Sequence, residues 1–309
     1  MSLTAFILIL LSAGLHATWN FISKKHNPSA AFYMMASMTG SAIWLTFFLL
    51  GGIDFTRLPG AFYAMLLGSI GFETLYCGSL AYAYRKCDIS LAYPLGRALP
   101  VVMVAAVSML FHLGQPLNYI QISGMIVIFS GCLLMPLKKI AEFSFRHYIS
   151  QGFLLIMLVA IGTTGYTVLD SQALKTYKES LVFEPVDCRF FTITPDVMAS
   201  CSYLFMVELG IVVGLTFVVI SSPFERGEFK KLFGRNFTPV LTGMCSSTAY
   251  GLILLAMNFV TNVSFIQPLR QLSLPLGMML GVIFLGEKVY KIRIAGIICI
   301  LAGILLSAL

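Results

Sequence analysis

Long apolar runs, separated by short charged turns, constrain this chain more than any other feature. Only 11% of its 309 residues are charged, whereas soluble domains carry about 25%, so most of the surface does not face water. A helix needs about 20 apolar residues to cross roughly 30 Å of hydrocarbon. The sequence therefore predicts an all-α integral membrane protein with ten transmembrane helices. The predicted spans are 2–22, 31–50, 60–84, 89–111, 119–136, 150–169, 197–220, 237–260, 263–285 and 291–309.

Lysine and arginine concentrate in alternate loops. The odd-numbered loops hold 14 of them and the even-numbered loops hold 4. Cytoplasmic loops carry the excess of basic residues in most membrane proteins. We therefore expect a multi-pass protein of the cell (inner) membrane, with odd-numbered loops in the cytoplasm and both termini outside. A net charge of +7 would suggest a nucleic-acid partner in a soluble protein. Here the basic residues lie in the loops between spans, and no nucleic-acid partner is expected.

The late part of each half repeats in sequence. Residues 89–95 align with 263–269, residues 120–124 with 292–296, and Gly131 with Gly303. Spans three to five then correspond to spans eight to ten. Since five is odd, the second copy enters the membrane upside down. The sequence predicts two inverted five-helix repeats, 1–148 and 149–309, within one membrane domain. Such repeats commonly build alternating access around a midplane site.

The 5+5 arrangement, the prolines of the fourth and ninth helices and the run Leu285-Gly286-Glu287 resemble the drug/metabolite transporter (DMT) superfamily. The EamA-type ten-helix branch is the most similar. The run at 16–20, HATWN, is similar to the first helix of some EamA-type proteins associated with phosphonate utilisation genes. The first half carries Gln115 where the second has Glu287, so the signature is complete only once. The resemblance implies transport, in a superfamily that includes exporters of amino acids and drugs and sugar-phosphate exchangers.

Two arginines, Arg97 and Arg270, fall inside predicted spans and are repeat equivalents. An arginine at that depth costs about 3 kcal/mol or more unless it is paired or faces a wet cavity. Prolines nearby would break the helices and free carbonyls that a cavity can satisfy. The alternative is a long side chain that reaches the interface or pairs with a carboxylate. The pattern favours a site for a carboxylate, phosphate or phosphonate. The predicted helix-breaking prolines are Pro94, Pro100, Pro268 and Pro275.

Two carboxylates lie deep in predicted spans, Glu73 in the third and Glu208 in the seventh. Both are candidates for proton coupling, because intramembrane acids commonly form proton relays. For Glu73 the alternative is a counter-ion to Arg97. For Glu208 the nearby Gly210 and Gly214 have the GxxxG spacing typical of helix contact.

The other candidate substrate-binding residues are polar or aromatic side chains in spans. His16, Trp19 and Asn20 share one face of the first helix, as residues three and four apart do. Tyr84 and Tyr93 equally fit the aromatic belt at the membrane interface. The full predicted substrate-binding set is Arg97, Arg270, Glu73, Tyr76, Tyr250, Gln267, Tyr93, His16, Trp19 and Asn20.

Taken together, these patterns predict a secondary active transporter of a small anionic or zwitterionic metabolite, such as an amino acid or organophosphonate. We expect proton coupling or exchange, because the sequence lacks the phosphate-binding pattern GxxxxGK[ST]. An exporter of amphipathic drugs or toxic metabolites is the first alternative. A membrane enzyme acting on a lipid is the second, although the four histidines are scattered. No enzyme activity, cofactor or metal is expected. The expected partners are the substrate and the bilayer, with the chain as monomer or homodimer.

Overall fold

The computed structural model describes residues 3–26, 28–86, 89–135, 137–139, 152–188, 192–285 and 288–308, and this part of the chain is almost entirely helical. The helices are α1 (Leu3–His26), α2 (Ala30–Leu50), α3 (Gly60–Lys86), α4 (Ile89–Leu110), α5 (Tyr119–Leu134), α6 (Phe153–Ser180), α7 (Pro195–Ser221), α8 (Pro223–Leu232), α9 (Thr238–Met257), α10 (Ile266–Arg270), α11 (Ser273–Leu285) and α12 (Lys291–Ala308). The predicted repeat boundary at 148/149 lies outside the described residues.

The helices have the length and composition of a membrane protein. Within the described ranges, six are long and apolar enough to cross a bilayer, namely α1, α2, α3, α6, α7 and α9. Two shorter apolar helices lie at Gly96–Leu110 and Tyr119–Leu134. Large apolar side chains such as Leu67, Phe217 and Leu305 are about 70% exposed, which suits contact with lipid. The fold is thus an all-α membrane protein.

Two predicted spans differ from the observed helices. The sixth was predicted to end at residue 169, but α6 runs to Ser180, so a polar stretch forms about three further turns of helix. The ninth was predicted as one helix over 263–285. It is instead a 3-10 turn (Val263–Phe265), α10 and α11, with the break at Gln271 and Leu272. The chain turns there through bonds of the tighter 3-10 type, such as Leu274 N to the carbonyl of Gln271 at 2.9 Å.

The predicted role of the prolines as helix breakers is wrong in the first half. Helix α4 continues through both Pro94 and Pro100. In the second half the break follows Pro268 by three residues, and Pro275 lies in the first turn of α11. A proline in a first turn costs little, because the N–H it lacks would have no partner inside the helix.

The helices pack in four main pairs: α5 with α12, α2 with α7, α3 with α6, and α1 with α9. In the first pair, a Cβ built on Gly124 would lie 2.7 Å from the carbonyl oxygen of Gly303. One built on Gly131 would lie 2.7 Å from the carbonyl oxygen of Gly296. The two backbones therefore touch at both points, and the two helices run antiparallel.

A short helix between α7 and α9 is attached to the ends of two spans. Glu225 of α8 is fully buried and accepts a hydrogen bond from the N–H of Ala31 at 3.0 Å. This satisfies a donor in the first turn of α2 that has no partner within the helix. The other carboxylate oxygen of Glu225 lies 3.6 Å from the Arg85 guanidinium at the end of α3. After the C-terminal end of α6, a two-stranded antiparallel hairpin pairs Val186 with Ile193.

Candidate functional site

A cavity of about 80 Å³ lies among α1, α2, α3, α6, α7, α9 and α10. It is small beside the roughly 300–1,000 Å³ of typical ligand pockets. Seven of the predicted residues line it, all of them buried or half-buried, whereas most of its remaining walls are apolar or serine. The predicted residues on the walls of this central cavity are His16, Trp19, Glu73, Tyr76, Glu208, Tyr250 and Arg270.

Arg270 lines the central cavity and has one donor without a partner among the described residues. Its side chain is buried, and its single hydrogen bond within the described chain is a long one, 3.5 Å from Nη2 to the Tyr166 hydroxyl. Its Nη1 has no partner among the described residues, and no carboxylate there forms an ion pair with it. A guanidinium in this position is costly to bury, and it offers two N–H groups to an anionic ligand.

Arg97 is held differently, although the sequence predicts it to be the repeat equivalent of Arg270. It is not on the wall of the central cavity. Its Nη2 donates to the carbonyl oxygen of Arg270 at 2.8 Å and to the hydroxyl of Ser273 at 2.7 Å. In return, Gln271 donates to the carbonyl of Arg97 at 3.1 Å. These bonds fasten α4 to the break between α10 and α11, where backbone carbonyls have lost helical partners.

The two acids of the cavity have different surroundings. Glu73 forms no hydrogen bond or ion pair with any residue the structure describes, and so is not the counter-ion of Arg97. The Glu208 carboxylate lies beside the hydroxyl groups of Ser37 and Ser247, and it occupies the space that a Cβ on Gly40 would fill. Glu208 thus joins α7 to α2 and α9, whereas Glu73 lies open to the cavity.

The polar face of α1 is buried, as its sequence predicted. The indole N–H of Trp19 donates to Nδ1 of His16 at 3.1 Å, which places the imidazole proton on Nε2 when the ring is neutral. That Nε2 has no partner in the described chain. Asn20 accepts a hydrogen bond from the Tyr84 hydroxyl at 3.0 Å. Tyr84 is 5% exposed, so it packs inside the helices and not in the interfacial belt.

Three tyrosine rings of the central cavity are in edge-to-face contact. The ring of Tyr166 lies 5.7 Å from that of Tyr76 and 5.5 Å from that of Tyr250, both edge-on. Tyr166 was not predicted. Its signal is the run of polar residues at helical spacing along α6, Thr163, Tyr166, Thr167 and Asp170, all of which are buried.

Gln267 and Tyr93 do not join this set. Gln267 is buried and donates to the Thr167 hydroxyl at 2.9 Å, so it links α10 to α6 and is absent from the cavity wall. The side chain of Tyr93 lies outside the described residues, as does that of Pro94.

Two further pockets flank the central cavity. The arginine pocket, about 20 Å³, is lined by His16, Asn20, Tyr76, Leu80, Tyr84, Gly96, Arg97, Val159 and Thr163. The amide pocket, about 390 Å³, has among its walls Gln172, Leu174, Lys175, Met257, Asn258 and Asn262. Along α6, Thr163 lines the arginine pocket, Tyr166 lines the central cavity and Leu174 lines the amide pocket. Since a helix rises 1.5 Å per residue, the three spaces follow one another over about 16 Å of α6.

Comparison with known proteins supports the fold. No family model matches the sequence, and no curated protein matches it. A solved crystal structure is similar over 99% of this chain and 97% of that one, with a TM-score of 0.70 and 13% sequence identity. At that identity the likeness shows the fold alone, and it extends over both halves of the chain.

Proposed function

We propose that this chain is a secondary active transporter of the drug/metabolite transporter type, with the central cavity as its substrate site. The observation that carries the proposal is the unsatisfied Nη1 of Arg270, buried in a cavity that also holds the unpaired Glu73. One cation and one anion around the same cavity suit a small metabolite with an anionic group, or a zwitterion such as an amino acid or an aminophosphonate.

Helix packing supports an inverted repeat. In sequence, Gly124 aligns with Gly296 and Gly131 aligns with Gly303. In the structure the contacts are crossed, because Gly124 contacts Gly303 and Gly131 contacts Gly296. A contact of this crossed kind is what a twofold axis produces. The pairs α3–α6 and α9–α1 are likewise equivalent when span three corresponds to eight and span six to one. Ten spans in two inverted halves are thus part of the proposal.

Contacts between loops support the proposed sidedness. Glu225 of loop seven contacts Arg85 at the start of loop three, so two odd-numbered loops meet. On the other face, Asn262 of loop eight donates to the carbonyl of Gln115 in loop four at 2.6 Å, and two even-numbered loops meet. With the basic residues on the odd side, that side is proposed to be cytoplasmic in a cell (inner) membrane.

The size of the cavity fits a closed form of an alternating-access cycle. About 80 Å³ admits water but not a typical metabolite. Substrate entry therefore requires the helices of the two halves to move apart. Because the sequence lacks the phosphate-binding pattern GxxxxGK[ST], the energy would come from an ion gradient or from exchange.

Counterflow in proteoliposomes tests this function. Vesicles are loaded with unlabelled amino acids, aminophosphonates or organic phosphates, and uptake of the labelled compound is followed. We expect counterflow of one such class, its loss in Arg270→Gln, and its retention in Arg57→Gln, whose side chain is 67% exposed in a loop. No counterflow with any compound of the panel would contradict the proposal, as would normal counterflow by Arg270→Gln. A thermal-shift screen with the same compounds gives an independent readout of binding.

A further inference from the structure

Asp170 is a buried carboxylate that the substrate site does not use. Its side chain is fully buried in the middle of α6. The Tyr203 hydroxyl of α7 donates to its Oδ1 at 2.6 Å, and the Tyr250 hydroxyl of α9 donates to its Oδ2. No basic side chain among the described residues forms an ion pair with it. The Ser69 hydroxyl of α3 also lies beside this carboxylate, which therefore meets three neighbouring helices through hydroxyl groups alone.

The position of Asp170 lies between two spaces. Residues four apart lie on one face of a helix, about 6 Å from each other. Tyr166, four residues before Asp170, lines the central cavity, and Leu174, four residues after it, lines the amide pocket. On the facing helix, Tyr250 lines the central cavity and Met257 lines the amide pocket. The hydrogen bonds of Asp170 therefore hold α6, α7 and α9 together between the central cavity and the amide pocket.

We propose that Asp170 is the proton-coupling site of the transporter, an inference that rests on the proposed function. Protonation adds one O–H to a carboxylate that now only accepts hydrogen bonds. The proton comes from water on the amide-pocket side, binds one carboxylate oxygen, and leaves to water on the opposite side once the helices have moved. While it is bound, that oxygen no longer accepts fully from its tyrosine, and the tie between α6 and α9 or α7 is loosened.

The other ionisable groups around Asp170 are suited to different tasks. Glu73 of α3 lies open to the cavity, where it faces substrate and Arg270. Glu208 of α7 lies beside two serine hydroxyls. Tyr203, Tyr250 and, on its own helix, Tyr166 complete the groups that face it, and Arg97 of α4 is bonded to the break after α10. Among the described acids, Asp170 is the one that lies on α6 between Tyr166 of the central cavity and Leu174 of the amide pocket.

The test separates exchange from gradient-driven uptake. Exchange in counterflow needs no net proton movement, whereas uphill transport driven by a pH gradient does. We expect Asp170→Asn to keep counterflow within about twofold of wild type and to lose at least tenfold of the pH-driven accumulation. Asp187→Asn, an exposed hairpin residue, should keep both. Wild-type protein without counterflow would contradict the proposed function itself. Wild-type counterflow combined with full pH-driven accumulation by Asp170→Asn would overturn the coupling role alone.

Two further measurements test the same assignment without Asp170→Asn. Tyr203→Phe keeps the carboxylate and removes a donor that favours its charged form, so the pH of half-maximal driven uptake should move upward. If Asp170→Asn does not yield folded protein, this profile decides, and an unshifted profile overturns the assignment. Accumulation driven by a Na⁺ gradient at equal pH would also overturn it.

Discussion

The guanidinium of Arg97 donates a hydrogen bond of 2.8 Å to the backbone carbonyl of Arg270. The sequence presents these two residues as a symmetric pair, one in each half. In the structure, Arg97 supports the backbone from which Arg270 reaches the cavity. The two side chains are therefore expected to affect different properties of the protein.

Arg97→Gln should reduce stability, because Arg97 makes two hydrogen bonds to the break between α10 and α11. Hydrogen bonds to charged groups contribute about 1.5–3 kcal/mol each. Arg270→Gln should leave stability unchanged or raise it, since it removes a buried charge without an ionic partner. Thermal unfolding in detergent measures both. Equal losses in the two variants would contradict this division of roles.

Gly131→Ala should destabilise the contact between α5 and α12. The added Cβ would lie 2.7 Å from the carbonyl oxygen of Gly296, so the two helices would have to separate. Overpacking of this kind costs about 1–3 kcal/mol.

Gly71→Ala is the matched control for that substitution, because it also lies within a helix but its Cβ would meet nothing within 4 Å. It should be neutral or slightly stabilising, since alanine is the better helix former. A similar fall in melting temperature in both variants would show that the contact between α5 and α12 does not cause the loss of stability.

Glu225→Ala should be strongly destabilising. It removes the acceptor of the Ala31 N–H and the partner of Arg85, and breaking a buried ion pair costs about 3–5 kcal/mol. Glu228→Ala on the same helix loses a pair to Lys231, which is 73% exposed, and should cost at most about 1 kcal/mol. Comparison of their melting temperatures is the measurement, and equal effects would refute the role of Glu225.

Cys188 reports which side of the membrane the hairpin occupies. It is exposed, between the end of α6 and the start of α7, in a loop proposed to lie outside. A membrane-impermeant maleimide should label it in intact cells, and Cys188→Ser should lose that label. Labelling of Cys188 that requires inside-out vesicles would reverse the proposed orientation.

Much of the helical framework is readable from hydropathy, since a bilayer forces the chain into apolar helices. The error at α6 has a physical cause. Residues 170–180 are mostly polar, but they form helix because most of them are buried in the protein or line the amide pocket. Hydropathy alone ended the span at 169 and left Asp170 at its end. The spacing of the polar residues from Thr163 to Asp170 predicts a helix with a buried polar face better than hydropathy does.

The sequence predicted many of the residues that line the central cavity, but not the contacts that each of them makes. Intramembrane charge identified Glu73 and Arg270, because burial of such groups is costly and seldom accidental. Repeat symmetry suggested that Arg97 would share the cavity with Arg270. It does not, because the second half breaks its helix after Arg270 where the first continues through Pro100. That difference depends on tertiary packing around Gln271 and Leu272, which a local pattern does not encode.

The crossed glycine contact between α5 and α12 has a consequence for ancestry. In the proposed inverted repeat, each half supplies one helix and each glycine contacts the counterpart of its partner, so the surface would be complementary to itself. Two separate five-helix chains, inserted in opposite senses, would meet through this same surface as a homodimer. Fusion of two such genes would then preserve a working interface from the first generation, and the halves would be free to diverge wherever the contact does not constrain them.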